Sequence, residues 1–361
     1  MLLHANDGGN ERDYVPTEPN YLDHAKRLVA ELESAGADLI IGLTHVHMWT
    51  DLEVATLRAE HPRLMFIVGG HEHEPEFSEL TDSRAAVMKG ASNARRIWRI
   101  DVDFDAAGMP GITTPLIDVD TSISSDPEYD ELDKKWRAAL LEVFPFLTAR
   151  VGEAAVPLDA REVTIRNEES NWGNFVVDQM RGAFGEPETD LAFLNSGTLR
   201  IDDFIADDIR FEDIGRTFGF SSYLRHLSMT GAEFVDVLEA GYRGTGPSKG
   251  YFPQVSGFRV CVDRSRPEGD RIVSLQLPDD DDWAEIDEQR EYDVVVPDFL
   301  YRGGDGYEFP QDRPVSRPAS ELVYLVLDAV INAQAKGRGV GAPVDPENPR
   351  IVILESPDQP C

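Results

Sequence analysis

Positive charge is scarce in this chain. Its 361 residues carry 34 Lys and Arg against 67 Asp and Glu, a formal charge of −33 at pH 7. A field of that sign repels phosphate backbones and anionic bilayers, which excludes a general binder of nucleic-acid polymers or membrane surfaces. Lysine is the scarcer cation: Lys26, Lys89, Lys134, Lys135, Lys249 and Lys336 stand against 28 arginines. Arginine is the better residue for gripping phosphate or carboxylate in a fork. Cysteine is nearly absent. Cys261 sits in an apolar, strand-like run and Cys361 ends the chain, which reads as neither a disulfide framework nor a thiolate zinc site. No apolar run approaches the roughly 18 residues of a membrane span. Met1 to Asn10 lacks a basic segment followed by a long apolar core, so no signal peptide is expected. There is no internal repeat and no long low-complexity tract. What remains, 41% hydrophobic residues with 9% aromatics, is enough to build real cores. The length suggests two domains or one large one.

The first half alternates helical and buried-strand patterns. Tyr21, Ala25, Leu28, Val29 and Leu32 recur at helical spacing, and Gly36 stops that helix. The run Ala37 to Leu43 predicts a buried, parallel strand. A helix over about 52–59 leads to a second buried strand, Leu64 to Val68. This rhythm indicates an α/β layer. Trp98, Ile100, Val102 and Phe104 alternate with charged residues, as in one strand covered on one side. Pro127 to Phe144 predicts an amphipathic helix with Leu132, Trp136, Leu140 and Val143 on one stripe. Beyond it come helices near 172–184 and 320–335 and a helix opened by a Thr230–Glu233 capping box. Strands are expected at 191–194, 257–262, 271–275 and 292–296, with the acid run Asp279–Asp282 as a solvated turn.

Five of the eight histidines, His45, His47, His61, His71 and His73, crowd one short stretch. His45 directly follows one buried strand, and His71 and His73 follow the next. Side chains at the carboxyl ends of parallel strands converge where α/β proteins bind ligands. Gly69-Gly70 frees the backbone to turn there. Neutral imidazoles suit Zn, Mn, Fe or Ni. His45, His71 and His73 are therefore candidate metal ligands, while His47 and His61 read as ordinary loop histidines.

LTHVHMWTDLEVA followed by IVGGHEHE resembles the distal half of a calcineurin-like metallophosphatase domain. RNEESNWGNFVVDQM, LNSGTLR, MTGAEFVDVLE, YFPQVSGFRV and VVPDFLYRGGDGYEF follow in the order of the 5′-nucleotidase C-terminal domain. The chain thus resembles the 5′-nucleotidase family. The resemblance implies a dinuclear site of divalent ions, Zn, Mn or similar, with His45, His71 and His73 among its ligands. The family's early Asp-x-His, its bridging Gly-Asp and its Gly-Asn-His block are not complete here. Leu2-Leu-His-Ala-Asn-Asp7 is similar to the opening strand, which makes Asp7 a further candidate ligand, although Gly9 stands where a histidine belongs. No catalytic residue proper is carried over.

In the second half the resemblance places Arg166, Asn195 and Arg200 at the ribose and phosphate. It assigns Phe220 and Phe299 to the two faces of the base and Asp305, in Gly303-Gly-Asp-Gly306, to the ribose hydroxyls. Asn171 reads as a helix N-cap. Gln254 and Ser256 read as pocket wall with no chemistry. The expected architecture is α/β throughout. A partial metallophosphatase layer at 1–122 precedes a linker helix at 123–146 and a complete nucleotide-binding C-terminal α/β domain at 147–361. The function implied is a metal-dependent phosphoester hydrolase acting on nucleotides or related esters, with a nucleotide or nucleoside as its small-molecule partner. The alternatives are an inactive nucleotide-binding module, a half-enzyme completed by another polypeptide, and a truncated gene product. Family members are often exported.

Overall fold

A computed structural model describes residues 21–185, 187–244, 249–280, 282–356 and 361. Leu2 to Asp7, and with them the candidate ligand Asp7, lie outside the described residues. The chain divides into two compact units, Met1–Tyr129 and Asp130–Cys361.

In the first unit, α1 (Tyr21–Ser34) leads to β1 (Ile40–Thr44). Then come α2 (Met48–Ala55), extended by a tight turn at Thr56–Ala59, and β2 (Leu64–Gly69). Two short strands, β3 (Glu76–Ser78) and β4 (Ala86–Lys89), complete a sheet of order β1-β2-β4-β3. β1, β2 and β4 run parallel. β2 and β4 feed both faces of the sheet, and a register shift opposite Ile40 and Ile41 that skips Met65 breaks the alternation along β2. Leu64, Ile67 and Val87 join Val29 of α1 and Ala55 of α2 on one side. Met65, Phe66 and Met88 pack towards Trp98, Val102 and Ile112 on the other. Two sequence expectations fail here. β1 is parallel, but of its residues only Ile40 is buried: among the described residues it pairs with β2 alone, and Leu43 is 85% exposed. The alternating run from Trp98 is not one strand either. β5 (Arg96–Trp98) pairs with β8 (Leu116–Asp118), and β6 (Asp101–Phe104) pairs with β7 (Pro110–Thr113).

The helix α3 (Pro127–Val143) spans the division between the units, and its stripe of Leu132, Trp136, Leu140 and Val143 is exposed. The second unit is organised by a five-stranded sheet. Its strands are β11 (Leu191–Asn195), β14 (Tyr223–Thr230), β15 (Pro253–Ser256), β19 (Glu291–Pro297) and β20 (Ala319–Glu321), in the order β15-β11-β19-β14-β20. β11 is an unbroken apolar run because both its faces are covered. Ala192 and Leu194 face one core with Val295. Leu191 and Phe193 face the other with Val294 and Val296. The first core is closed by α5 (Asn171–Arg181), α6 (Phe211–Thr217) and α9 (Leu322–Ala335), through Trp172, Val176, Ile214 and Val326. The second is closed by α7 (Gly231–Glu239) and a sheet of β16 (Arg259–Asp263), β17 (Ile272–Asp279), β18 (Asp282–Glu285) and β21 (Ile351–Leu354). Short pairs β9 (Arg150–Glu153) with β13 (Asp208–Arg210), and β10 (Leu158–Asp159) with β12 (Phe204–Ile205), fasten the loops. Two single-turn helices, α4 (Glu162–Ile165) and α8 (Asp298–Tyr301), carry site residues at their ends.

The acid run becomes a hairpin end, with Asp279 opposite Asp282. Thr230 and Glu233 form the expected capping box on α7. Two further expectations are corrected. The N-cap of α5 is Ser170, whose hydroxyl accepts from the Gly173 amide at 2.9 Å. Asn171 instead accepts from the Asp159 amide at 2.7 Å and donates to the Pro157 carbonyl at 2.9 Å, so it ties the preceding strand to the helix. The two cysteines are also not independent. Cys261 on β16 is disulfide-bonded to Cys361, with Cα atoms 5.7 Å apart across a sequence separation of 100. Such a distant partner leaves no spacing signature in the sequence.

Candidate functional site

In the first unit the histidines gather at the carboxyl ends of β1 and β2. The backbone after Gly69-Gly70 turns so sharply that His71 and His73 take left-handed φ values of 85° and 67°. A non-glycine residue is strained there and needs its surroundings to hold it. His71 Nε2 lies 3.3 Å from His47 Nε2, and the His45 ring meets the His71 ring edge-on at 5.4 Å. His47 stacks on Trp49, and its Nδ1 lies 3.5 Å from Glu72 Oε1. Glu72 also accepts from the Met48 amide at 2.6 Å. Burial lowers the pKa of His71 to about 4, and the neighbouring His47 adds to the effect, so the ring is neutral near neutral pH. The structure therefore brings His45 and His71 together and adds His47, which the sequence reading had set aside. The only available signal was its two-residue offset from His45. His73 follows the same turn, with its carbonyl accepting from the Ser92 amide at 2.8 Å.

Beneath this cluster Lys89 and Asp51 form an ion pair with both side chains fully buried. The Lys89 ammonium also donates to the Val46 carbonyl at 2.7 Å, and Asp51 accepts from Thr44 Oγ1 at 2.9 Å. The pair thus pins the loop after β1 to α2 and β4. Nothing in the sequence marked Lys89. Among the described residues, no group of three His, Cys, Asp or Glu is arranged to hold a metal ion. The donor set as described does not fit the dinuclear centre that the resemblance implies.

In the second unit, Arg166 closes α4 and is 4% exposed. Its Nη2 donates to Glu162 Oε1 at 2.6 Å, while its buried Nε has no partner. Burial pulls its pKa down, Glu162 opposes that, and the nearby Arg200 adds to it. Asn195, at the end of β11, donates to Asp305 Oδ2 at 2.7 Å and accepts from Thr198 Oγ1 at 2.7 Å. Asp305 sits in a turn where Gly303, Asp305 and Gly306 all have positive φ, which is why glycines flank it. Burial raises the Asp305 pKa; the Asn195 hydrogen bond and the cations Arg243, Arg166 and Arg200 counteract it. The Phe299 ring lies over Gly304, where an added Cβ would come within 2.5 Å of it. The Arg200 guanidinium lies 5.6 Å from the centre of the Phe220 ring. Phe220 and Phe299 are 67% and 52% exposed.

Arg166, Asn195, Arg200 and Asp305 thus form one group. Phe220 is attached through Arg200, and Phe299 through the Gly304-Asp305 turn. Sequence reasoning missed Glu162, whose i, i+4 spacing to Arg166 was visible. It also gave Gln254 only a place in the pocket wall. Gln254 is fully buried and makes three hydrogen bonds: Nε2 to the carbonyls of Ile165 and Glu168 at 2.9 and 2.8 Å, and Oε1 from the Ser170 amide at 3.1 Å. It holds the loop that presents Arg166. Ser256 Oγ donates to Asp178 at 2.6 Å on the helix behind.

Residues 150–312 match the 5′-nucleotidase C-terminal domain family. Over 314 residues the chain is 26% identical to a 5′-nucleotidase-related protein of Glossina morsitans morsitans, covering 78% of this chain and 55% of that one. It is 25% identical over 341 residues to the 5′-nucleotidase of Homo sapiens, covering 84% of this chain and 58% of that one. The chain therefore spans little more than half the length of these curated relatives. Among solved structures it resembles a 5′-nucleotidase precursor from Thermus thermophilus, with a TM-score of 0.78 and 23% identity over 94% of this chain and 68% of that one. That likeness establishes the two-domain α/β fold.

Proposed function

We infer, from a chain that belongs to the 5′-nucleotidase family, that its second unit binds a nucleoside phosphate and serves hydrolysis of the phosphoester. The observation that carries this reading is the hydrogen-bonded pair Asn195–Asp305 in one group with Arg166 and Arg200. A carboxylate beside an amide suits a ribose diol. The two guanidinium groups suit the phosphate and supply local positive charge in a chain of net charge −33. Two exposed phenylalanine rings suit a base, and stacking needs no particular hydrogen-bonding edge, so several bases are accommodated.

The hydrolytic half of the reading belongs to the first unit. His45, His71 and His73 are the residues we propose for divalent metal, and Zn or Mn would polarise a phosphoryl oxygen if held there. The described donors do not complete such a centre, so no catalytic step is assigned to them. Neutral His71 is in the protonation state a ligand needs.

The test has two stages. Adenosine and AMP are titrated against the intact chain and against Phe299→Ala. Removing one stacking ring should weaken both by about 1–3 kcal/mol, and equal affinities would refute the pocket. AMP turnover is then measured with and without added Mn, Zn or Co. Turnover that His71→Ala abolishes supports the hydrolase, whereas tight binding without turnover under any metal leaves a nucleotide-binding module.

A further inference from the structure

Beside the nucleoside group lies a narrow cleft, open to solvent, that the preceding reading leaves unused. Four cations line it, Arg166, Arg243, Lys249 and Arg264, together with Tyr242 and Tyr251, and no Asp or Glu does so among the described residues. In a chain with twice as many acids as bases, four cations along one cleft stand out; Arg166 and Arg264 each already face one carboxylate, Glu162 and Glu355. Two donors at this cleft are buried and lack partners: the Arg166 Nε and the Tyr242 hydroxyl. A buried donor left without an acceptor costs free energy, so a ligand acceptor there is favoured.

The walls are built to keep the cations in place. The Arg243 guanidinium lies 4.2 Å from the centre of the Tyr251 ring, and the Tyr251 hydroxyl donates back to the Arg243 carbonyl at 2.8 Å. Arg243 Nη1 also donates to the Ala240 carbonyl at 2.9 Å. Arg271 occupies the Tyr242 and Gly244 carbonyls at 2.5 and 2.7 Å, which removes two acceptors that would compete for the lining cations. The nearby acids are engaged at the margin. Glu268 accepts from the Gly244 amide at 2.8 Å, and Glu355 lies 3.1 Å from Arg264.

We propose that this cleft is a second anion subsite that takes a further phosphate of the nucleotide whose ribose lies at Asp305. Arg166 lines the cleft and also belongs to the nucleoside group, so a single ligand reaches both. The anion subsite stands on the cleft itself, while its assignment to a nucleotide rests on the proposed function. The site then favours nucleotides carrying two phosphates over those carrying one.

Calorimetric titration of the intact chain with adenosine, AMP, ADP, adenosine 3′,5′-bisphosphate and inorganic phosphate tests this. At least one of the two doubly phosphorylated ligands should bind roughly ten-fold tighter than AMP, the size of one added charge-assisted hydrogen bond. In Arg264→Gln and in Lys249→Gln the advantage should fall below about three-fold. Adenosine affinity should hold, reporting an intact fold. Equal affinity of AMP and both doubly phosphorylated ligands overturns the subsite, as does an advantage that survives both substitutions. Inorganic phosphate that binds the wild type and is lost in the variants, with no adenosine compound binding, keeps the anion subsite and overturns its nucleotide assignment. Adenosine binding without any gain from phosphate keeps the nucleoside reading and overturns the subsite.

Discussion

Replacing Gln254 with leucine keeps the side-chain volume close while deleting three buried hydrogen bonds. The losers are all backbone groups of one short loop: the carbonyls of Ile165 and Glu168 and the amide of Ser170. Ser170 is the N-cap of α5, so its displacement also loosens the bond to the Gly173 amide. Gly173 packs directly on the Gln254 side chain, which leaves the loop little room to shift and recruit water. Each buried backbone group left without its partner costs about 1–3 kcal/mol. For three such groups the second unit should therefore lose about 3–9 kcal/mol of stability. Urea unfolding followed by near-ultraviolet circular dichroism reads this as a lower midpoint at unchanged slope. Nucleoside affinity of the remaining folded chain should fall as well, because Arg166 leaves the same loop. A loss below about 1 kcal/mol with normal adenosine binding would show that the loop is held by something other than Gln254.

Reduction of the Cys261–Cys361 disulfide, or Cys361→Ser, should lower the stability of the second unit by about 2–5 kcal/mol, read as the urea midpoint with and without dithiothreitol; identical midpoints contradict it. Lys89→Met should destabilise the first unit by about 3–5 kcal/mol by leaving Asp51 charged and buried, and adding Asp51→Leu should restore most of that. Thermal unfolding of the single and double variants decides the point. Adenosine affinity should decline from neutral to mildly acidic pH, since the raised pKa of Asp305 means that the carboxylate is lost above the ordinary carboxylate range. The stability contribution has the opposite sign: it is present at low pH and lost as pH rises through the raised value. In Asp305→Asn adenosine binding should be weak at every pH, and affinity that still follows pH there would assign the titration to another group.

Where the sequence carried a local physical signal, the structure follows it closely. The apolar period of α1 and the runs of β2 and β11 end within a residue or two of their expected positions. The capping box of α7 falls on Thr230 and Glu233. What escaped depends on partners distant in the chain. A strand such as Ala37 to Leu43 reads as buried from its own side chains, but whether a neighbour covers it is decided elsewhere, and Leu43 is left in solvent. Trp98 to Phe104 kept its alternation yet broke in two, because its halves pair with different strands. Asp305 and Arg166 stood out through their motifs. Gln254, Lys89 and Asp51 are silent in sequence because each acts through contacts more than 35 residues away. His47 was discounted for lacking a strand directly before it, whereas the turn of His71 swings that ring onto it.

The edge that β1 presents among the described residues has a bearing on handling the protein in solution. Among the described residues β1 pairs with β2 alone, so its other side, with the exposed Ile41 and Leu43, is a template on which a further strand can add. The net charge of −33 keeps copies apart only as far as the field reaches. That reach is about 30 Å in dilute buffer but about 3 Å at molar salt. The chain should thus stay dispersed at low ionic strength and self-associate as salt is added, contrary to proteins whose clumping is driven by opposite charges.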